Sequence, residues 1–359
     1  MPRWTLLAPI VAAAVLALVS LLTGGPGLAL ALAVVSAVAL VLAVPAAVHH
    51  AEVVAHRIGE PFGTLVLAVA ITVIEVALIV SLMVTGGAQK DALPRDTVFA
   101  TIMIICNGVV GLCLLVGGLR HYEQAFRVEG AISALAYLIA LATLSLVLPA
   151  FTTSTPGPTY TVAQLAFAGV ASLVLWAVFV FVQTVRHRDY FLPAVDTADE
   201  QVHAAPPSAR LARTSFALLI VCLVAVVGLA KSLAPAIERA VAAAGAPETV
   251  IGIAIAMLVL LPETWAALRA ARANRLQTSF NLALGSALAS IGLTIPAVAV
   301  VSVWLHLPLV LGLGAKDLVL LALTFVITSI TLITGRTTVM QAAVHLVVFA
   351  AFLFLAVVP

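Results

Sequence analysis

Apolar residues run through this chain in long blocks, and the polar positions between them are few and bunched. A hydrocarbon core about 30 Å thick needs about 20 mostly apolar residues per helix. Blocks of that kind recur at 5-23, 27-48, 62-84, 97-119, 131-149, 162-185, 215-234, 248-268, 278-303, 317-334 and 338-357. Helices satisfy their own backbone groups within lipid, so the pattern predicts an all-α polytopic membrane protein with about eleven transmembrane helices. Most connections are short. The longest polar stretch, Arg186 to Arg213, divides the blocks.

Setting the first block aside leaves five before this linker and five after it. An odd number per half makes the second half cross the membrane in the opposite sense, which is an inverted repeat with its binding site expected at the midplane. The expected divisions are an extra N-terminal helix at 1-26, a first five-helix repeat at 27-185, a linker at 186-213 and a second five-helix repeat at 214-359. The opening segment has the basic residue and apolar run of a signal peptide. Its run is long for that role and another block follows at once, so it reads as a first transmembrane helix.

Composition agrees with the pattern. The 359 residues are 64% hydrophobic and 9% charged, with a mean hydropathy of +1.23, which excludes an ordinary soluble globule. A net charge of +2 gives no reason to expect a nucleic-acid partner. The lipid bilayer is the partner the composition requires. Cys106, Cys113 and Cys222 all fall inside apolar blocks and read as packing residues rather than a disulfide framework.

Charge also sets orientation. With the N-terminus in the cytoplasm, Arg3, Arg57, Arg120, Arg127, Arg186, Arg188, Arg210, Arg213, Arg269, Arg272, Arg275 and Arg336 lie inside. Lys90, Arg95, Lys231, Arg239 and Lys316 lie outside. That bias predicts a cytoplasmic N-terminus and linker and an external C-terminus.

Two carboxylates stand within the apolar blocks. Glu75 lies in GEPFGTLVLAVAITVIEVALIVSLM and Glu263 in LPETWAALRAARANRLQTSF, each on the second helix of its half. A charge in hydrocarbon is costly, so both are functional candidates. Glu75 is thirteen residues from Phe62, a depth of about 20 Å at 1.5 Å per residue. Glu263 enters from the other face to a similar depth, so antiparallel helices can present both acids near the bilayer centre. Pro262 cannot donate to the carbonyl of Leu258, which makes that oxygen a candidate ligand.

The third helix of each half adds polar groups. Asn107, Gly111 and Gly118 share one stripe, and in the other half Thr278, Asn281, Gly285, Gly292 and Pro296 share another, with Ser286, Ser290 and Thr294 beside it. Small-residue packing accounts for the glycines, while Asn107 and Ser286 are equally readable as ligands. Carboxylates, hydroxyls, amides and carbonyls make a hard oxygen set suited to Ca2+. Two like charges in an empty site invite protonation, so protons and cation compete for the same oxygens.

His49, Glu52, His56 and Glu60 recur on one helical face and read either as a cytoplasmic entry for protons or metal or as a solvated helix end. His121, Glu123 and Glu129 read as loop surface. Asp317 is expected to cap the tenth helix, with Lys316 beside it.

The segments HHAEVVAHRIGEPFGTLVLAVAITVIEVALI, RDTVFATIMIICNGVVGL and LPETWAALRAARANRLQTSFNLALGSALASIGLTIPAV resemble the bacterial calcium/proton antiporters of the ChaA type, in the cation/Ca2+ exchanger superfamily. The resemblance runs from about Val48 onward. It implies the fold of inverted five-helix repeats, and it implies that Glu75 and Glu263 bind Ca2+ and protons alternately. Asn107, Gly285 and Ser286 match the family's third-helix polar positions. Many relatives carry Asn three residues before each acid; here Thr72 and Leu260 stand there. Many also carry a strongly acidic helix between the halves, where this linker has only Asp189, Asp196, Asp199 and Glu200.

The expectation is thus an inner-membrane secondary antiporter, not an enzyme. It exports Ca2+ against H+ through Glu75 and Glu263, with Thr72, Asn107, Leu258, Gly285 and Ser286 in support and no resident cofactor. Exchange of Na+ or K+ for protons on the same scaffold is the nearest alternative. A metal-dependent intramembrane hydrolase built on His49, Glu52 and His56 is a weaker one.

Overall fold

In the computed structural model the described residues are 3–22, 26–59, 62–86, 90–191, 207–245 and 247–358. The expectations placed on Glu60, Asp196, Asp199 and Glu200 lie outside them. The described chain is almost wholly helical: α1 (Arg3–Leu21), α2 (Pro26–Ile58), α3 (Phe62–Gly86), α4 (Leu93–Met103), α5 (Val110–His121), α6 (Val128–Ala142), α7 (Val162–Phe181), α8 (Ala209–Ala243), α9 (Thr249–Arg272), α10 (Leu276–Leu305), α11 (Ala315–Ile333) and α12 (Val339–Val357). A π-helical turn, Ile104–Val109, joins α4 to α5 in one rod, and π turns also extend α6 at Thr143–Val147 and α7 at Val182–Arg186. Among the described residues, ten helices are long and apolar enough to cross a membrane. With α3, whose apolar stretch is Ala68–Val84, they make the eleven rods the apolar blocks predict.

Helix ends follow local chemistry. Thr161 and Thr338 each open a helix with a capping box, pairing with Gln164 and Gln341 three residues on. α2 ends before Gly59, whose φ of +79° glycine adopts without strain. α2 and α8 run well past their apolar blocks and continue through Pro45 and Pro235, so proline stops neither helix. Asp317 is a correction: Gly314 is the N-cap of α11, Asp317 sits in its first turn, and Lys316 donates to the Leu355 carbonyl near the end of α12 at 2.9 Å.

The chain forms two compact units, Met1–Leu93 with Ala204–Val259, and Pro94–His203 with Leu260–Pro359. Each takes helices from both sides of the polar linker, and α9 passes from one to the other after Val259.

In the first unit α2 packs against α1, α3 and α8. Ala39, Ala43, Ala47 and Ala51, at four-residue spacing, are all buried, and their small side chains allow close helix approach. Gly228 of α8 leaves room for the Leu16 side chain of α1. Pro9 within α1 withholds a donor from the Thr5 carbonyl, and His50 of α2 occupies that carbonyl through Nε2 at 2.8 Å. Lys90, nearly buried, pairs with Glu248 at 3.3 Å.

In the second unit the α4–π–α5 rod lies innermost, with every residue from Asp96 to Gly111 buried. A two-stranded antiparallel pair, β1 (Gln124–Ala125) with β2 (Arg336–Thr337), sits beyond the ends of α5 and α11. His121 and Glu123 lie at the surface, as expected, and there they make contacts. His121 Nε2 lies 3.0 Å from the Arg272 carbonyl, and Glu123 pairs with Arg336 at 3.0 Å. Gln124 donates to the Ala271 carbonyl and to Asn274 Oδ1, both at 2.9 Å. The last carbonyls of a helix lack intrahelical donors, so these side chains complete the C-terminal end of α9. Across the unit, the Leu146 carbonyl in the π turn after α6 accepts from the Leu313 amide at 2.9 Å. Tyr160 donates to the Leu144 carbonyl at 2.7 Å, and burial pushes its phenol above the usual value, which keeps the donor in place. Cys106, Cys113 and Cys222 are free thiols, each buried, as packing residues should be.

Candidate functional site

In the first unit, Glu75 occupies the buried stripe of α3. Ile74, Leu78, Ile79 and Leu82 line the same stripe, and Glu75 itself is only 2% exposed. This is the position a leucine would take in an ordinary core helix. Thr72, one turn earlier, is also buried. α3 packs against α2 and α8, so the protein gives this carboxylate a buried, helix-lined setting.

The four-residue face ending in Glu60 is helical as far as described. His49 and Glu52 stand 3.9 Å apart, with Glu52 and His56 exposed. Among the described residues, no three His, Cys, Asp or Glu side chains gather as a metal-holding group. The buried histidine of this helix is instead His50, bound to α1, which sequence reasoning passed over. Its signal was present in Pro9, four residues after Thr5, but the pairing of α1 with α2 was not legible.

In the second unit, Glu263 lies on α9 directly after Pro262. α9 stays helical through that proline, and both Glu263 carboxylate oxygens are shielded from solvent. Thr264 bonds back to the Leu260 carbonyl at 2.7 Å. Leu258, whose carbonyl Pro262 cannot serve, is half-buried and belongs to the part of α9 in the first unit.

The third-helix stripes separate by role. On α10, Gly292 faces Trp176 of α7, with room for hydrogen only, and Pro296 lies against Gly169. Asn281 donates to the Phe191 carbonyl and is a packing residue. At Gly285, by contrast, an added Cβ would meet nothing within 4 Å, and Ser286 beside it is half-buried. This is the open face of α10. Asn107, fully buried in the π turn, donates through Nδ2 to Thr324 Oγ1 at 2.9 Å, and its Oδ1 lies 3.2 Å from His345 Nδ1. His345 Nε2 meets Thr331 Oγ1 at 3.1 Å. π turns are frequent at functional sites. Neither the π turn nor the contact with His345, 238 positions away, leaves a mark in hydropathy.

The chain matches the family described as sodium/calcium exchanger protein over residues 28–185 and 214–358. It is 49% identical over 358 residues to the putative ionic transporter y4hA of Sinorhizobium fredii, covering 100% of this chain and 97% of that protein. It is 36% identical over 308 residues to the sodium-potassium/proton antiporter ChaA of Escherichia coli, covering 85% of this chain and 83% of that one. Among solved structures it is similar to native YfkE, a Ca2+/H+ antiporter protein, with a TM-score of 0.74 at 17% identity, covering 99% of this chain and 100% of that chain. That likeness is one of fold.

Proposed function

Because the chain belongs to the sodium/calcium exchanger protein family, and is a multi-pass membrane protein of the cation/Ca2+ exchanger fold, we propose that it is an inner-membrane antiporter exporting Ca2+ in exchange for protons, with Glu75 and Glu263 as shared ligands. The observation that carries the reading is the withdrawal of both acids from water within apolar helices. Glu75 is 2% exposed and the Glu263 oxygens are shielded, an arrangement that a merely structural role does not call for.

Two ionised carboxylates neutralise one divalent cation. When the cation leaves, two like charges in a poorly polarisable setting favour uptake of protons, and returning protons expel the next cation from the same oxygens. On this reading Thr72, Asn107, Ser286 and the Leu258 carbonyl are the neutral oxygens of the hard set, and Gly285 leaves the α10 face beside Ser286 open. Export of each positive charge works against an inside-negative potential by about 2.3 kcal/mol per 100 mV, which inward proton movement must offset.

A second reading, Na+ or K+ exchange for protons at the same residues, is favoured by the sodium-potassium/proton antiporter among the relatives. One carboxylate then holds the monovalent ion while the other keeps its proton. Everted vesicles with an acid interior separate the two. Dissipation of the gradient by micromolar Ca2+ supports calcium exchange, dissipation by Na+ or K+ alone supports the second reading, and no response to any of them contradicts both.

A further inference from the structure

The last helix carries a histidine that the proposed exchange leaves without a role. His345 is completely buried on α12, where it faces the π turn of the α4–α5 rod and the inner part of α11. Small residues bring α12 this close. An added Cβ at Gly108 would meet the Phe349 ring at 3.2 Å, and one at Gly111 would meet the Leu346 side chain at 3.0 Å and His345 Cβ at 3.1 Å.

The side-chain hydrogen bonds around His345 fix its state, with the Cys106 backbone as a further hydrogen-bond partner of the ring. Thr324 Oγ1 donates to the Leu320 carbonyl at 2.8 Å, so its oxygen is free to accept. What faces it from Asn107 is therefore the Nδ2 donor, at 2.9 Å, and Oδ1 is turned to His345. An amide oxygen only accepts, so His345 Nδ1 carries the hydrogen. The neutral ring then has a lone pair on Nε2, which the Thr331 hydroxyl fills at 3.1 Å. Donors and acceptors match in one direction from Thr331 through His345 and Asn107 to Thr324 and Leu320.

We propose that His345 is a positioning residue for the cation site. It holds the Asn107 amide by Oδ1 while Thr324 holds Nδ2, and so presents the second lone pair of Oδ1 as a fixed cation ligand. The inference rests on the proposed function, in which Asn107 is one of the neutral oxygens. An amide free to rotate would offer its NH2 group to the cation as readily as its oxygen. A ligand fixed in advance avoids that ordering cost on binding. Proton carriage is a poorer use of the same chain, because the Asn107 amide does not take and release protons as an imidazole does.

The test is Ca2+, Na+ and K+ binding by calorimetry to the purified full-length protein, with transport in proteoliposomes alongside. His345→Leu is expected to weaken binding of the cation that wild type binds by about tenfold, the scale of one lost hydrogen bond to a buried group. His345→Asn places an amide NH2 near the position of Nδ1 and should recover most of that affinity, with the wild-type pH profile of transport. Thr324→Val, which frees the other end of the amide, should weaken binding in the same direction. Asn107→Ala, which removes the ligand itself, should weaken it at least as much as His345→Leu, and His345→Leu in that background should add little. Melting curves of each variant report folding, and the Asn variant keeps the test open if Leu folds poorly. The inference is overturned if His345→Leu binds as tightly as wild type, or if His345→Asn recovers nothing. It is overturned also if the Asn variant alters the pH profile as fully as Leu does, which marks a proton carrier. If Glu263→Gln abolishes binding while the His345 variants leave it intact, only the positioning role fails. If wild type binds none of the cations, the proposed function fails and takes this inference with it.

Discussion

His50 Nε2 donates to the carbonyl of Thr5 at 2.8 Å, the carbonyl that Pro9 deprives of its helical donor. The proline creates the need and the histidine meets it, so the two residues form one device fastening α1 to α2. His50→Leu removes that bond from a buried carbonyl and should lower stability by about 1–3 kcal/mol. In a Pro9→Ala background the backbone amide regained at that position serves Thr5, and the same substitution should cost much less. Melting of the four proteins in detergent measures this coupling. Equal losses in both backgrounds would show that the contact is incidental.

Gln124 holds the end of α9 by its bonds to Ala271 and Asn274. It fits there because Gly117 has no side chain, since an added Cβ would overlap the Gln124 amide. Gly117→Ala should therefore destabilise the protein by about 1–3 kcal/mol, the usual range for overpacking. Gln124→Ala should relieve part of that loss in the double variant. Additive losses would mean that the two side chains act separately.

Two glycines of α10 should respond in opposite senses. Gly292 meets Trp176 Cβ at 2.8 Å where a Cβ would stand, whereas Gly285 meets nothing within 4 Å. Gly292→Ala is expected to lower the melting temperature. Gly285→Ala is expected to hold or raise it, since alanine is favoured over glycine in a helix interior by about 1 kcal/mol. A fall at Gly285 equal to that at Gly292 would contradict the packing described.

Orientation is open to direct measurement. The arginine distribution predicts that the linker near Arg210 and Arg213 lies inside and the end of α12 outside. Alkaline phosphatase, active only outside the cytoplasm, should be active when fused after Pro359 and inactive when fused after Arg213. The reverse pair of activities would invert the topology.

Much of the architecture was legible because the bilayer imposes a length on each helix. Glu75 and Glu263 stood out for the same reason: a charge is conspicuous where every neighbour is apolar. Helix starts at Thr161 and Thr338 were readable in principle from Gln three residues on. The extensions of α2 and α8 were not, because helix continues into polar sequence once neighbouring helices support it. His50, Gln124 and His345 escaped for a further reason. Their importance lies in partners 45, 147 and 238 positions away, and hydropathy carries no record of such pairings. Asn281 and Asn107 looked alike in sequence, yet one binds the Phe191 carbonyl and the other joins a buried side-chain network. Only packing separates them.

Glu75 and Glu263 are proposed to bind cation and proton in turn. This is tested most directly in proteoliposomes loaded at acid pH, following lumenal pH as Ca2+, Na+ or K+ is added outside to wild type, Glu75→Gln and Glu263→Gln. The account predicts cation-driven proton release in wild type and its loss in both variants, each still folded by melting and gel filtration. Cation-driven release that persists in either folded variant would contradict the two-carboxylate site.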